Sequence, residues 1–376
     1  MANSQVMILA IDGGGIRGII PAYILSQFEK LTNKSCHQLF DIIGGTSTGG
    51  ILTAGLTTPN RQVSNFVPFT AAELLSIYQT MGNRIFVKQH GVNCADYYAD
   101  DGASSGVEVF LQKIIGPDVS LTAARKAVTS VPGNRVMQMF TTGYIVNSNG
   151  NKVTQPVQGK DFGPMLFNWQ DALRTPGNDY RVWEAARATS AAPVYFPIAQ
   201  VGGGGGYRSA MPEKWVVDGG VMSNNPAMWA LSEVFRWELA TSLKDVTIIS
   251  LGTGVYPGAN GVGIHNNTGW SYDDNGNWDS VPWMKSLYDL EGYEADATLI
   301  SIIMESVQQV TNSQLSALVK SGLNYYRLEP NIVQGLSAMD DITQNNINNL
   351  TKRAFDYINY EGKAVFDKVV SILKGG

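Results

Sequence analysis

The sequence predicts an α/β protein built on a mainly parallel central sheet. Three observations carry that prediction. A strand, a glycine-rich loop and a helix follow one another twice within about the first 57 residues, the connection that joins parallel strands. A further apolar run, "VTIISLGTG" at 246–254, reads as a buried strand ending in another glycine turn. No internal repeat and no Pro/Ser-rich linker divides the chain, so one domain is expected over residues 1–376.

In order, Val6 to Ile11 is a continuous β-branched and apolar run, the pattern of a strand buried on both faces. Glycines 13–15 and Gly18 follow, and Pro21 suits a first helical turn. Ile20, Ile24, Leu25, Phe28 and Leu31 then keep helical spacing. Ile42-Ile43 leads into "GGTSTGG", with Ile51, Leu52 and Leu56 marking a second helix. Residues 71–86 and 106–115 read as helices, 135–146 as a strand, and "WEAARATSAAPVYFP" as an alanine-rich helix stopped by Pro193. "KWVVDGGVMSNNPAMWALSEVFRWEL" repeats the opening theme: a short β-rich run, Asp-Gly-Gly, then a helix opened by Pro226. Residues 255–283 lack periodicity and read as a long loop, after which helical patterns occupy 293–321 and 340–373. Phe355, Ile358, Val365, Phe366, Val369 and Ile372 form an apolar face with few basic neighbours, which favours core packing over a membrane surface.

Composition narrows the function. The 376 residues carry a formal net charge of −5, and 44% are hydrophobic, as in ordinary globular proteins. The acidic balance and the lack of a Lys/Arg cluster argue against nucleic acid as a partner. Cys36 and Cys94 are the only cysteines, too few for a disulfide framework. The N-terminus lacks a basic region and cleavage site, and no apolar run approaches the roughly 20 residues needed to span a bilayer. A cytoplasmic protein, touching membranes at most peripherally, is expected.

Gly45-Thr46-Ser47-Thr48-Gly49 fits G-x-S-x-G, the nucleophile elbow, in which flanking glycines let a strand-to-helix turn lift the serine above the sheet. The alternative is a tight turn in which Ser47 merely caps the helix. A serine nucleophile needs a base, and the chain has three histidines. His37 lies in a polar segment and His90 in an irregular one. His265 completes the order Ser47, Asp218, His265 known from α/β-hydrolases, but it sits in the loop-like "GVGIHNNTG". Asp218 ends a short strand, where α/β sheets bind ligands. Its carboxylate could take the serine proton directly if burial raised its proton affinity; equally, it could make an Asx turn.

Gly13 to Gly18 also satisfies G-x-G-x-x-G. A dinucleotide site needs an acidic residue at the end of the second strand to hold the ribose. Glu29 falls inside the first helix and Asp41 precedes the second strand, which ends instead in the serine elbow. A loop presenting N–H donors to an oxyanion fits better.

Taken in order, "DGGGIRG" at 12–18, "GTSTG" at 45–49, "ARATSAAPVYFP" at 186–197, "DGG" at 218–220 and "SLGTG" at 250–254 resemble the patatin-like phospholipase family. The specific motifs span about 6–254, with the C-terminal helices of about 293–373 matching more loosely. The resemblance implies a three-layer α/β/α fold and a serine–aspartate dyad, with Ser47 as nucleophile and Asp218 as proton acceptor. It implies an oxyanion hole from the backbone around Gly13, Gly14 and Gly15. Arg17, Gly18, Gly45, Gly49, Gly219 and Gly220 would support the motifs; Gly220 stands where many members have alanine. Arg17 would hold the loop through backbone carbonyls or meet an anionic headgroup. The implied activity is metal-independent and cofactor-free hydrolysis of acyl esters in phospholipids and related lipids, of the phospholipase A or lysophospholipase type. An acyltransferase using the same acyl-enzyme, or a signal-activated membrane-degrading effector, would share these residues. Trp270, Trp278 and Trp283 would either meet a membrane surface or pack on the protein itself.

Overall fold

The computed structural model describes residues 5–61, 67–86, 106–147, 162–193, 195–255, 298–333, 335–336 and 338–375. His90, His265, Cys94 and the three tryptophans of the 255–283 segment lie outside the described residues. The strands are β1 (Val6–Ile11), β2 (Ile42–Gly45), β3 (Gln138–Asn147), β4 (Gly163–Asn168), β5 (Ala199–Val201), β6 (Lys214–Asp218), β7 (Val246–Leu251) and β8 (Asn324–Leu328). The helices before β6 are α1 (Ile19–Thr32), α2 (Cys36–Leu39), α3 (Thr48–Leu56), α4 (Ala71–Ile85), α5 (Val107–Ile115), α6 (Leu121–Thr129), α7 (Trp169–Arg174) and α8 (Val182–Thr189). After it come α9 (Gly220–Ser223), α10 (Ala227–Arg236), α11 (Thr298–Val319), α12 (Gln344–Asn359) and α13 (Lys363–Leu373).

All these strands join one sheet in the order β5-β6-β3-β2-β1-β7-β8, with β4 on β3. The centre is parallel: β1 pairs with β2 and β7, β2 with β3, and β7 with β8. The β4, β5 and β6 pairings are antiparallel. Alternate β1 side chains serve opposite layers, because successive residues of a strand face opposite ways. Met7, Leu9 and Ile11 join the larger core with Phe28, Leu52 and Phe366, whereas Val6, Ile8 and Ala10 join a second core with Ala230, Val234 and Leu315. Both faces of the sheet are therefore covered, and the three-layer expectation holds.

One pairing detail positions the site. On β3, Thr141 pairs with both Gly45 of β2 and Phe167 of β4, and Gly143 pairs with both Met165 of β4 and Asp218 of β6. A strand has two edges, so β4 occupies one edge and β2 and β6 share the other. Strands β2 and β6 run in opposite directions along that shared edge and meet end to end. Their C-terminal residues, Gly45 and Asp218, lie opposite β3 residues only two apart.

The chain's later part also departs from the sequence pattern. The 340–373 pattern divides into α12 and α13, separated around Gly362, and β8 precedes them. The apolar face of these helices is core: Ile358, Phe366 and Val369 are buried, and only Phe355 is largely exposed. Phe366 stacks on Phe28 with ring centroids 5.2 Å apart. Phe366→Ala is expected to cost about 3–5 kcal/mol in urea unfolding. A loss below about 1 kcal/mol would mean that this ring does little to hold α13 on α1.

Candidate active site

Ser47 stands between β2 and α3 with φ 54° and ψ −122°, a conformation that L-residues rarely adopt. Such strain costs about 1–3 kcal/mol and persists only when neighbours over-determine it. The neighbours are visible. A Cβ on Gly49 would run into the Ile11 and Asp12 carbonyls, and one on Gly45 would strike the backbone of Gly49. The Ser47 N–H donates to Thr189 Oγ1 at 2.9 Å. The Ser47 side chain makes no cap hydrogen bond with α3, so the capping alternative fails.

Asp218 reaches the same place from the opposite direction along β3. The two approaches are tied together by the "ARATSAA" stretch. Thr189 takes the Ser47 N–H, and the Ala191 carbonyl takes the Asp218 N–H at 3.0 Å. Thr46 Oγ1 and Thr142 Oγ1 lie 2.7 Å apart beneath the elbow, and a Cβ on Gly219 would run into Thr142. Asp218 is fully buried. Burial pushes its carboxyl up from 3.8 to about 7, against the Gly220 N–H, the Ser47 hydroxyl and the Arg187 charge, which pull it down. Oδ1 accepts from Gly220 N–H at 2.6 Å. Ser47 is near enough to influence the carboxyl, yet Oδ2 has no hydrogen bond of ordinary length among the described residues.

The glycine loop forms the third wall. Gly15 has φ 58°, and a Cβ there would collide with the Met339 carbonyl, which already accepts from Ile16 N–H at 2.8 Å. The Gly13 N–H is committed to the Asn224 carbonyl at 3.2 Å, and the Gly13 carbonyl takes Thr253 Oγ1–H at 2.7 Å. The N–H groups of Gly14 and Gly15 have no acceptor among the described residues. Arg17 Nε donates to the Gly14 carbonyl at 3.3 Å.

Asp12 anchors the loop from below. It is fully buried and receives both ends of the Arg327 guanidinium, at 2.9 and 2.5 Å. Burial opposes the Arg327 charge, but Asp12 and Glu329 more than offset it and hold the arginine protonated. Glu329 accepts from Arg327 at 2.7 Å and from Gln308 Nε2 at 2.8 Å, and Gln308 Oε1 accepts from Asn224 Nδ2 at 2.9 Å. Arg327 of β8 thus braces the glycine loop through Asp12, while Gln308 of α11 holds the Asn224 side chain.

Beside Ser47 opens a narrow cleft walled chiefly by Ile51, Phe86, Val107, Phe196, Met304 and Met339. The cleft is apolar except at Ser47 and a few hydroxyls, among them the Thr48–Tyr78 pair. A serine on a strained turn, a buried aspartate beside it and a glycine loop at an apolar cleft fit acyl transfer from a greasy substrate.

The family model described as Patatin-like phospholipase matches residues 9–231. The chain belongs to the patatin-like phospholipase family. It is 29% identical to Patatin group J-1 of Solanum tuberosum over 368 residues, covering 92% of this chain and 81% of that one. It is 26% identical to Patatin-like protein 2 of Arabidopsis thaliana over 376 residues, covering 93% and 82%. A solved structure, VipD from Legionella pneumophila, superposes with TM-score 0.41 at 10% identity over 97% of this chain and 67% of that one, a likeness too slight to bear on the site. Membership makes the chain a lipid acyl hydrolase in general terms, with lipids as its substrate class. No helix among the described residues is long and apolar enough to cross a membrane.

Arg327, Glu329 and Gln308 are absent from the sequence-based site, and nothing in their spacing announces them. Arg327 alone carried a signal, as an arginine inside the β-rich run "NYYRL". Asn224 sits in "SNNPA", directly after the aspartate motif, where a second asparagine before proline marks a turn. Removing one partner of a buried pair leaves an uncompensated charge. Arg327→Met is therefore expected to cost about 3–5 kcal/mol in urea unfolding, and Asp12→Asn in the same chain should recover a large part of that loss. Additive effects in the double variant would contradict the pairing.

Proposed function

We propose that this patatin-like chain hydrolyses carboxylic esters of phospholipids or related acyl lipids through an acyl-enzyme on Ser47, with Asp218 as general base. The observation that carries the reading is the meeting of Ser47 and Asp218 at the abutting ends of β2 and β6. As Ser47 Oγ attacks the ester carbonyl, Asp218 takes the hydroxyl proton and returns it to the departing alcohol. The free N–H groups of Gly14 and Gly15, in the loop Gly13 to Gly15, receive the developing oxyanion. Each such donor is worth about 10²–10³ in turnover. Water then cleaves the acyl-enzyme with the same aspartate as base. The apolar cleft takes the acyl chain, and the ester reaches it from a membrane surface met peripherally. No step calls on a metal ion or cofactor.

Burial suits Asp218 to this work, because a base whose proton affinity lies near the working pH balances availability against driving force. A carboxyl raised from 3.8 to about 7 is protonated, and inactive as a base, at acid pH. The value of kcat/KM on a soluble short-chain ester should rise about tenfold per unit well below pH 7 and level off above it. Ser47→Ala and Asp218→Asn should each lose at least ~10³-fold in kcat, while His265→Ala keeps most of it. An inactive but folded His265→Ala protein would contradict the dyad.

The same burial has a cost in stability. Between pH 4 and 7 the folded state binds a proton at Asp218 that the unfolded chain, with its ordinary carboxyl, has released. Folding stability from this group is intact below about pH 4 and falls as the pH rises to about 7. Asp218→Asn removes that penalty. The variant is expected to melt above the wild type at pH 8 and level with it near pH 4. Equal melting temperatures at both pH values would contradict the raised carboxyl.

A further inference from the structure

Two enclosed acceptors in this site have no hydrogen bond of ordinary length among the described residues, and in the acyl-enzyme the Ser47 hydroxyl near one of them is esterified. Asp218 Oδ2 and Asn224 Oδ1 belong to side chains 0% and 6% exposed, and neither has a hydrogen-bond partner among the described residues. An unmet buried acceptor destabilises the fold that encloses it. Two of them in one corner call for a single small molecule with two protons to give.

The orientation of the Asn224 amide follows from its neighbours. Glu329 is ion-paired with Arg327, so its Oε1 accepts from Gln308 Nε2 at 2.8 Å. Gln308 then turns Oε1 toward Asn224, and only Nδ2 of Asn224 can donate to it, at 2.9 Å. Oδ1 is left pointing the other way. A Cβ built on Gly13 would collide with Asn224 Oδ1 and lie 3.0 Å from Ser47 Cβ. A Cβ built on Gly220 would lie 3.3 Å from the same Oδ1 and 3.1 Å from Asp218 Oδ1. Asn224 Oδ1 therefore shares one corner with the nucleophile and the base. It is an acceptor, so it would repel an oxyanion and cannot belong to the hole that binds one.

We propose that Asp218 Oδ2 and Asn224 Oδ1 together hold the water molecule that deacylates Ser47. The proposal rests on the reading of Ser47 as nucleophile and Asp218 as base. One water proton points to each acceptor, which turns an oxygen lone pair toward the acyl carbon. The water oxygen bonds to that carbon while its first proton passes to Asp218 Oδ2; the second stays hydrogen-bonded to Asn224 and is never transferred. The tetrahedral intermediate collapses, the carbon–Oγ bond breaks, and Ser47 Oγ takes the proton back from Asp218. A free carboxylic acid leaves, and its remaining proton is shed to solvent. Acylation needs no water, so Asn224 serves only the second half of the reaction.

That asymmetry makes the test. Asn224→Ala and Gln308→Leu are compared with the wild type on p-nitrophenyl butyrate, by rapid mixing and by mass spectrometry of acid-quenched protein. Loss of the water's second anchor should lower kcat at least tenfold, while kcat/KM, which reports only the steps through acylation, stays within about threefold. A burst of p-nitrophenol and a butyryl group on the Ser47 peptide should accompany it. Gln308→Leu, which leaves Asn224 in place but frees its amide to turn, should show the same pattern more weakly and carries the test if Asn224→Ala does not fold. Equal falls in kcat and kcat/KM without acyl-Ser47 in folded variants would overturn the proposal. Fluorophosphonate labelling of the same samples separates the two levels of the argument. Label on Ser47 keeps the nucleophile reading even if the water site fails, and its absence from Ser47 in the wild type removes both.

Discussion

Strand β3 lends one edge to two strands that run toward each other, and the rest of the site depends on this arrangement. Strand β2 delivers Ser47 and β6 delivers Asp218 to neighbouring positions on that edge. Neither residue needs a long side chain or a mobile loop to reach the other, because backbone pairing sets the spacing. The "ARATSAA" stretch then ties the two strand ends by main-chain hydrogen bonds from Ser47 and Asp218. Held on both sides, the Ser47 backbone retains a conformation that it would leave if free.

Two carboxylates are buried close to this junction and differ in their partners. Asp12 is neutralised by the two-pronged contact with Arg327 and serves as a structural anchor for the glycine loop. The Asp218 carboxyl has one short hydrogen bond among the described residues, from Gly220, and burial raises it to about 7. Burial raises both carboxyls from their ordinary range, so what separates them is the partner: an arginine for Asp12 and none for Asp218 Oδ2 among the described residues. The Asp12 pairing also gives the C-terminal part of the chain a function. Arg327, Glu329 and Gln308 lie beyond the 9–231 stretch matched by the family model, yet they fix the loop and the Asn224 amide.

The glycine motifs, the serine elbow and the central strands were legible because each depends on local chemistry that the sequence displays. Gly45 and Gly49 are required by close backbone approaches next to Ser47, and Val6–Ile11 is apolar throughout because both faces are covered. Strand β8 was not legible, since its residues are mostly half-buried and Arg327 interrupts its apolar pattern to serve a distant aspartate. The expected helix over 340–373 hid a break near Gly362, where a Cβ would strike the Tyr357 ring. Long-range pairs such as Asp12 with Arg327 leave no periodicity, so no reading of spacing could have found them. That Ser47 makes no cap hydrogen bond with its helix likewise needed coordinates, because a cap and a strained elbow call for the same residue.

The central claim is that Asp218 activates Ser47. Its most direct measurement is the rate at which a fluorophosphonate labels Ser47, followed by peptide mass spectrometry across pH 5 to 9 in wild type and Asp218→Asn. The predicted result is label on Ser47, with a rate that climbs through about pH 7 in the wild type and is nearly abolished at every pH in the variant. Label on another residue, or a folded Asp218→Asn protein that labels at the wild-type rate, would contradict the account.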